Sequence, residues 1–182
     1  EWGIDPNRVG IMGSSAGGHL ASTIGTHFQY KYDTHMHTAG FRPDFMILLY
    51  PVISFADSIT HKGSRFNLIG PEREDILEDR VQFEKKIADV PLDSARKINY
   101  SNERQVSVNT PPVFIVHAND DEVVPIQNTI LFVAALQEKE VRVQPLFYAG
   151  GGHGFGLHNK SSSKDWMAEC ITWLRKEGIT NE

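Results

Sequence analysis

Two nearly continuous apolar stretches constrain this chain more than any other feature. Phe45-Met46-Ile47-Leu48-Leu49-Tyr50 and Val113-Phe114-Ile115-Val116 show no polar alternation. A strand built from either must therefore be covered on both faces, which is the situation of strands in a parallel sheet sandwiched between helices. The surrounding sequence supplies such helices. Small or helix-compatible residues run over 15–26, with Leu20 and Ile24 four apart, and apolar residues recur at 126, 130, 133, 134 and 136. Trp166, Cys170, Trp173 and Leu174 mark one face of a helix expected over 162–177 and stopped by Gly178. Further strands are expected at 8–12 and 141–148. The resulting order is strand, helix, strand, excursion, strand, helix, strand, helix, which predicts an α/β chain with a mostly parallel sheet flanked by helices.

The excursion covers 56–110. Its charges crowd at 72–80 and 84–86, with Ile76, Leu77, Val81, Phe83 and Ile87 interleaved, so one or two amphipathic helices are expected there as a cap within a single domain spanning 1–182. The longest apolar run, 45–53, is too short to cross a bilayer and is interrupted by Pro51. A net charge of −5, without a basic stripe or interleaved aromatics, argues against nucleic acid as a partner. The single cysteine, Cys170, forms no internal disulfide and is expected to be a buried structural thiol. It fits any redox compartment, so it assigns no localisation. The chain opens on Glu1-Trp2-Gly3-Ile4-Asp5-Pro6, which reads as the end of one element entering another, so an upstream portion of a longer protein is expected.

Chemistry enters at three places, each just after an expected strand. Gly13-Ser14-Ser15-Ala16-Gly17 fits G-x-S-x-G with Ser15 central. Such a serine sits on a sharp strand-to-helix turn, where bulk two residues to either side is expected to clash and the following helix directs its first N–H groups at developing negative charge. The Ala16 N–H is the expected oxyanion donor. Ser14 lacks the flanking glycines. A phosphate-binding loop is excluded because His19 and Leu20 stand where Lys and Ser/Thr are required, and a dinucleotide fingerprint because Ser15 replaces its second glycine.

The second place is the acidic run Asp120-Asp121-Glu122, just past the strand containing Val116. Carboxyl ends of parallel strands are where catalytic groups collect. The third is Gly150-Gly151-Gly152-His153-Gly154-Phe155-Gly156, a glycine-rich loop that brings one imidazole close to other backbone. His158 is its neighbour outside the cluster. Histidines 19, 27, 35, 37, 61 and 117 are expected to pack or face water. His35-Met36-His37 lacks a third ligand at a telling spacing, so no metal or cofactor is expected. Serine, then acid, then histidine is the chain order of α/β-hydrolase triads.

RVGIMGSSAGGHLAS (8–22), PPVFIVHANDDEVVP (111–125) and FYAGGGHGFGL (147–157) together resemble the esterase/lipase-like α/β-hydrolases related to acetyl-xylan and acetyl esterases. The resemblance implies Ser15 as nucleophile, Asp121 (two residues before Val123-Val124-Pro125) as triad acid and His153 as base. It implies ester hydrolysis through an acyl-enzyme, with a small ester or acetylated carbohydrate as substrate. A lipid-like or aryl ester, a peptide bond, or no reaction at all in an inactive fragment or interaction module are the alternatives. Members of that group carry further strands and a His-Gly-Gly-type loop ahead of the nucleophile strand. This chain thus corresponds to a partial α/β-hydrolase fold from the nucleophile strand onward. Its first strand would then be an open edge, inviting homo-oligomerisation, and half the oxyanion hole would lie elsewhere.

Overall fold

The computed structural model describes residues 3–29, 41–70 and 94–180. Four strands, β1 (Gly10–Ser14), β2 (Phe45–Leu49), β3 (Val113–Ala118) and β4 (Val143–Tyr148), form one sheet in the order β1-β2-β3-β4, with every neighbouring pair parallel. The helices are α1 (Ala16–His27), α2 (Lys62–Ile69), α3 (Ser94–Asn99), α4 (Gln127–Glu138) and α5 (Trp166–Lys176), with a 3₁₀ turn at Asn102–Arg104. This is a parallel sheet flanked by helices, part of an α/β-hydrolase fold.

The two apolar runs behave as their composition demands. Met46, Leu48, Val113 and Ile115 join a cluster with Ala21 of α1 and Phe132 and Leu136 of α4. The alternate residues Ile47, Leu49, Phe114 and Val116 join Trp166, Cys170 and Trp173 of α5 on the opposite face. Burial pushes the Cys170 thiol up to about 11, consistent with an inert core group.

Several element details differ from the sequence-based expectation. Strand β1 begins at Gly10 rather than residue 8, because the chain before it is folded into a turn: the Arg8 N–H bonds the Asp5 carbonyl and the Val9 N–H bonds Asp44 Oδ2. Leu20 is 62% exposed, and α1 instead buries Gly18, His19, Ala21, Ser22, Gly25, Thr26 and His27. Small residues let this helix lie close on the sheet, so that a Cβ on Gly25 would collide with the Met46 side chain. On α4 the buried face is Asn128, Thr129, Phe132 and Leu136, while Ile130 and Ala134 point outward. Asn128 is buried because its Oδ1 accepts from the Ile53 and Ser54 N–H groups.

Helix α5 starts at Trp166, not 162. Asp165 caps it by accepting from the Met167 N–H, while Ser162 accepts from the Lys164 N–H in a separate turn. Gly178 ends it with φ +71 and an N–H bond to the Arg175 carbonyl, and the Ile179 N–H reaches Leu174. Helix α2 went unforeseen because its cap is His61, whose Nδ1 accepts from the Ser64 N–H. The amphipathic helices expected around 72–87 lie outside the described residues, as do His35 and His37.

Candidate active site

Ser15 occupies the turn between β1 and α1 with φ +54 and ψ −122, a backbone conformation an L-residue adopts only when held there. The restraints are backbone bonds to the end of β2, to the segment after it and to α1. The Ser15 N–H donates to the Leu49 carbonyl at 3.0 Å, and its own carbonyl accepts from the Val52 N–H at 3.1 Å and the His19 N–H at 3.2 Å. The flanking glycines are not equivalent. A Cβ on Gly13 would collide with the Gly17 carbonyl, and one on Gly18 would meet the Pro51 ring at 2.6 Å. Gly17, expected to relieve a clash, has nothing within 4 Å of its would-be Cβ. Bulk is thus excluded on the strand side of the turn and at Gly18, one residue beyond the five-residue pattern. Ala16 is exposed and is the first residue of α1, so its N–H has no acceptor within the helix.

The loop after β4 carries His153 to this turn. His153 Nε2 lies 2.9 Å from Ser15 Oγ, and Nδ1 lies 2.7 Å from Asp121 Oδ2. Because Nδ1 faces a carboxylate, it carries the proton. Nε2 is then the acceptor for the serine hydroxyl. Tyr50 sets the imidazole from one side, edge-on at 4.9 Å between centroids, and Phe155 packs edge-on against Tyr50 at 4.7 Å.

The three acids past β3 have different environments. Asp121 is buried, with Oδ1 accepting from the Val123 and Val124 N–H groups at 2.9 and 2.8 Å. Its place two residues before Val123-Val124 is therefore a hydrogen-bonding requirement. Asp120 is turned the other way and accepts from the Gly152 N–H at 2.8 Å and the Gly151 N–H at 3.2 Å, which hold its carboxyl below the usual range. Glu122 is exposed. Asp120 is thus a support of the histidine loop that sequence reasoning treated only as a rival acid. Asn159 is another, donating to the Gly150 carbonyl at 2.7 Å. His158 is exposed, and the imidazole that meets Ser15 Oγ is that of His153.

His19 and His27 are structural. His19 stacks on Phe55 at 4.7 Å, and its Nε2 bonds the Tyr100 carbonyl at 2.8 Å; burial holds it below its ordinary value. His27 Nε2 bonds the Asn99 carbonyl. Both tie α1 to the returning end of the excursion. Next to Ala16 lies a cavity of about 520 Å³, bordered by Leu20, Phe55, Asn67, Leu68 and Tyr100. Among the described residues, no group of three or more His, Cys, Asp or Glu side chains is placed to hold a metal ion, and no helix is long and apolar enough to cross a membrane.

The BD-FAE family model matches residues 1–136, across the Ser15 turn and the Asp121 loop. The chain belongs to the BD-FAE family. A second model, of the dienelactone hydrolase family, matches residues 96–179 and so takes in the histidine loop. Both agree with an esterase/lipase-like member of the α/β-hydrolase superfamily. This BD-FAE chain is 35% identical over 177 residues to an acetylxylan esterase of Xylanibacter ruminicola, covering 96% of the chain and 32% of that protein. It is 33% identical over 168 residues to the endo-1,4-beta-xylanase B of Butyrivibrio fibrisolvens, covering 91% of the chain and 23% of that protein. In structure it is similar to the acetyl ester-xyloside bifunctional hydrolase of Caldicellulosiruptor lactoaceticus, with a TM-score of 0.81 at 35% identity over 98% of this chain and 60% of that one. The BD-FAE chain thus spans less than a third of the first two relatives and about three fifths of the solved structure.

Proposed function

We propose that this chain carries the catalytic part of a serine esterase that cleaves carboxylic esters through an acyl-enzyme, with acetyl esters on a carbohydrate such as xylan as its substrates. The observation that carries the reading is the unbroken line of hydrogen bonds from Ser15 Oγ through His153 to Asp121, at 2.9 and 2.7 Å. His153 Nε2 takes the hydroxyl proton as Oγ attacks the ester carbonyl, and Asp121 stabilises the imidazolium that forms. The Ala16 N–H at the start of α1 donates to the tetrahedral oxyanion. A second donor, which the family resemblance assigns to a loop ahead of the nucleophile strand, would complete the hole. His153 returns the proton to the leaving alcohol, then deprotonates a water that attacks the acyl carbon and frees Ser15. The residues named need no metal or organic cofactor for these steps.

The acetyl-carbohydrate preference is supported by what the relatives are named for. The apolar border of the cavity beside Ala16, with Leu20, Phe55 and Leu68, favours a second reading in which the ester is aryl or longer-chained. Either way, the described flanks of the excursion border the cavity and would select substrate within a single domain, since Phe55, Leu68 and Tyr100 come from them. The exposed Val9 and Met12 at the β1 edge are where another chain would pair if the protein oligomerises.

Hydrolysis by the full-length protein tests the reading. Aryl acetates and acetylated xylan are expected to turn over, and peptide anilides are not. Faster cleavage of anilides than of acetates would make it a peptidase. Absence of any turnover in the folded protein would favour an interaction module. Leu68→Ala should shift preference along an acetate-to-octanoate series if the cavity receives the acyl chain.

A further inference from the structure

Asp121 is contacted by a second imidazole that the proposed reaction does not use. His117 projects from β3 and is fully buried. Its Nε2 lies 3.1 Å from Asp121 Oδ2 and 3.0 Å from the Val124 carbonyl, both acceptors, so Nε2 must carry a proton. Its Nδ1 lies 2.7 Å from Thr129 Oγ1 on α4. Burial holds this imidazole below its ordinary value against the pull of the Asp121 carboxylate, so it is neutral and Nδ1 accepts from the threonine hydroxyl. Thr129 thereby fixes the tautomer that aims an N–H at Asp121. The titratable groups facing His117 are Asp121 and His153.

Both oxygens of Asp121 are consequently filled by donors, Oδ1 by the Val123 and Val124 amides and Oδ2 by His153 and His117. The loop amides fix Oδ1 alone. Rotation of the carboxylate about that anchor is opposed by His117, which reaches Oδ2 from the sheet side.

We propose that His117 is a positioning residue for the ester hydrolysis proposed above, holding Asp121 Oδ2 where His153 Nδ1–H meets it. A neutral donor suits this role because it restrains the oxygen and leaves His153 as the group that gains charge. A cation in its place would compete with the imidazolium for the same carboxylate. The inference rests on the esterase reading, and it assigns to β3 and α4 a task that the Ser15, His153 and Asp121 contacts do not include.

The test compares wild type, His117→Leu and His117→Gln in the full-length protein, using aryl acetate kinetics against pH. His117→Leu is expected to lower kcat about 10- to 100-fold with little change in KM, and to move the acidic limb of the kcat/KM profile, which reports His153. His117→Gln keeps a donor near the Nε2 position and should recover most of the kcat and the wild-type limb. Unchanged kcat and limb in a folded His117→Leu would overturn the proposal. So would equal losses in the two variants, since then only packing matters. Should the leucine variant not fold, imidazole nitrogen NMR of wild type decides. A His117 that is neutral and protonated on Nε2 supports the proposal, and the Nδ1–H form or a cation contradicts it. Failure of the esterase reading itself looks different, because wild type would then neither hydrolyse acetates nor label at Ser15.

Discussion

The two backbone segments that meet at the Ser15 hydroxyl are held by opposite means. The turn carrying Ser15 is clamped by steric fit and sheet hydrogen bonds: Gly13 abuts Gly17, Gly18 abuts Pro51, and the backbone of Ser15 bonds to Leu49 and Val52. Among the glycines of the loop carrying His153, only Gly151 is packed as closely, where a Cβ would strike the Asn159 side chain. Gly151, Gly152, Gly154 and Gly156 all have positive φ, and would-be Cβ atoms on Gly152 and Gly154 meet nothing within 4 Å. The loop is held by side chains reaching in from outside, Asp120 and Asn159, and by the ring of Tyr50. On the proposed reading, a nucleophile that must hold one strained geometry is fixed at the end of a strand, and a base that must face first a hydroxyl and then a leaving group or water sits on a tethered loop.

The sharpest way to probe this contrast is Ser15→Gly. Loss of the hydroxyl should lower kcat/KM on aryl acetates about 10⁵- to 10⁶-fold, while relief of the positive φ should raise stability by about 1–2 kcal/mol in thermal or urea unfolding. Inactivation without stabilisation would mean the turn stores no strain. Next in size, Gly13→Ala should destabilise by about 1–3 kcal/mol or more as the turn opens. Gly17→Ala should be neutral or stabilising by about 0.5–1 kcal/mol, because it adds a Cβ to an exposed helix position. Equal melting temperatures for the two would break the packing argument for the first segment.

The second segment predicts a rate effect more than a stability effect. Asp120→Ala frees the Gly151 and Gly152 amides and should lower kcat about tenfold through misplaced His153, with the melting temperature nearly unchanged. The smallest effect is in pH. Asp120 has its folded pKa depressed by those amides, so its tethering contribution is complete above the unfolded carboxyl range and is lost as pH falls through the lower folded value. Wild type should therefore lose loop protection in hydrogen exchange at acidic pH, and Asp120→Asn should show less of that dependence.

What was legible in the sequence follows from the same physics. Strands β2 and β3 were evident because burial on both faces requires continuous apolar sequence. Helix α5 was evident because its Trp166, Cys170 and Trp173 stripe repeats at helical spacing. The buried face of α1 was not, since close approach to the sheet selects Gly, Ala, Ser and a packed His19, none of which register as an apolar stripe. The same holds for α4, where Asn128 and Thr129 are buried to serve partners far away in sequence, at Ile53 and His117. At the candidate site, motif context singled out Ser15 and His153, while the choice of Asp121 among three neighbouring acids came from the family resemblance. The tasks of Asp120 and His117 were hidden because each depends on which way a side chain points after the loop closes. The only sequence hint was nearness to Asp121, which Asp120 adjoins and His117 precedes by four residues.

Active-site labelling of the full-length protein with a fluorophosphonate tests the central claim most directly. A single covalent adduct, mapped by tandem mass spectrometry to Ser15 and abolished by His153→Ala, is the predicted result. A correctly folded protein that takes up no label, or that is labelled at another residue while Ser15 stays free, would contradict the account.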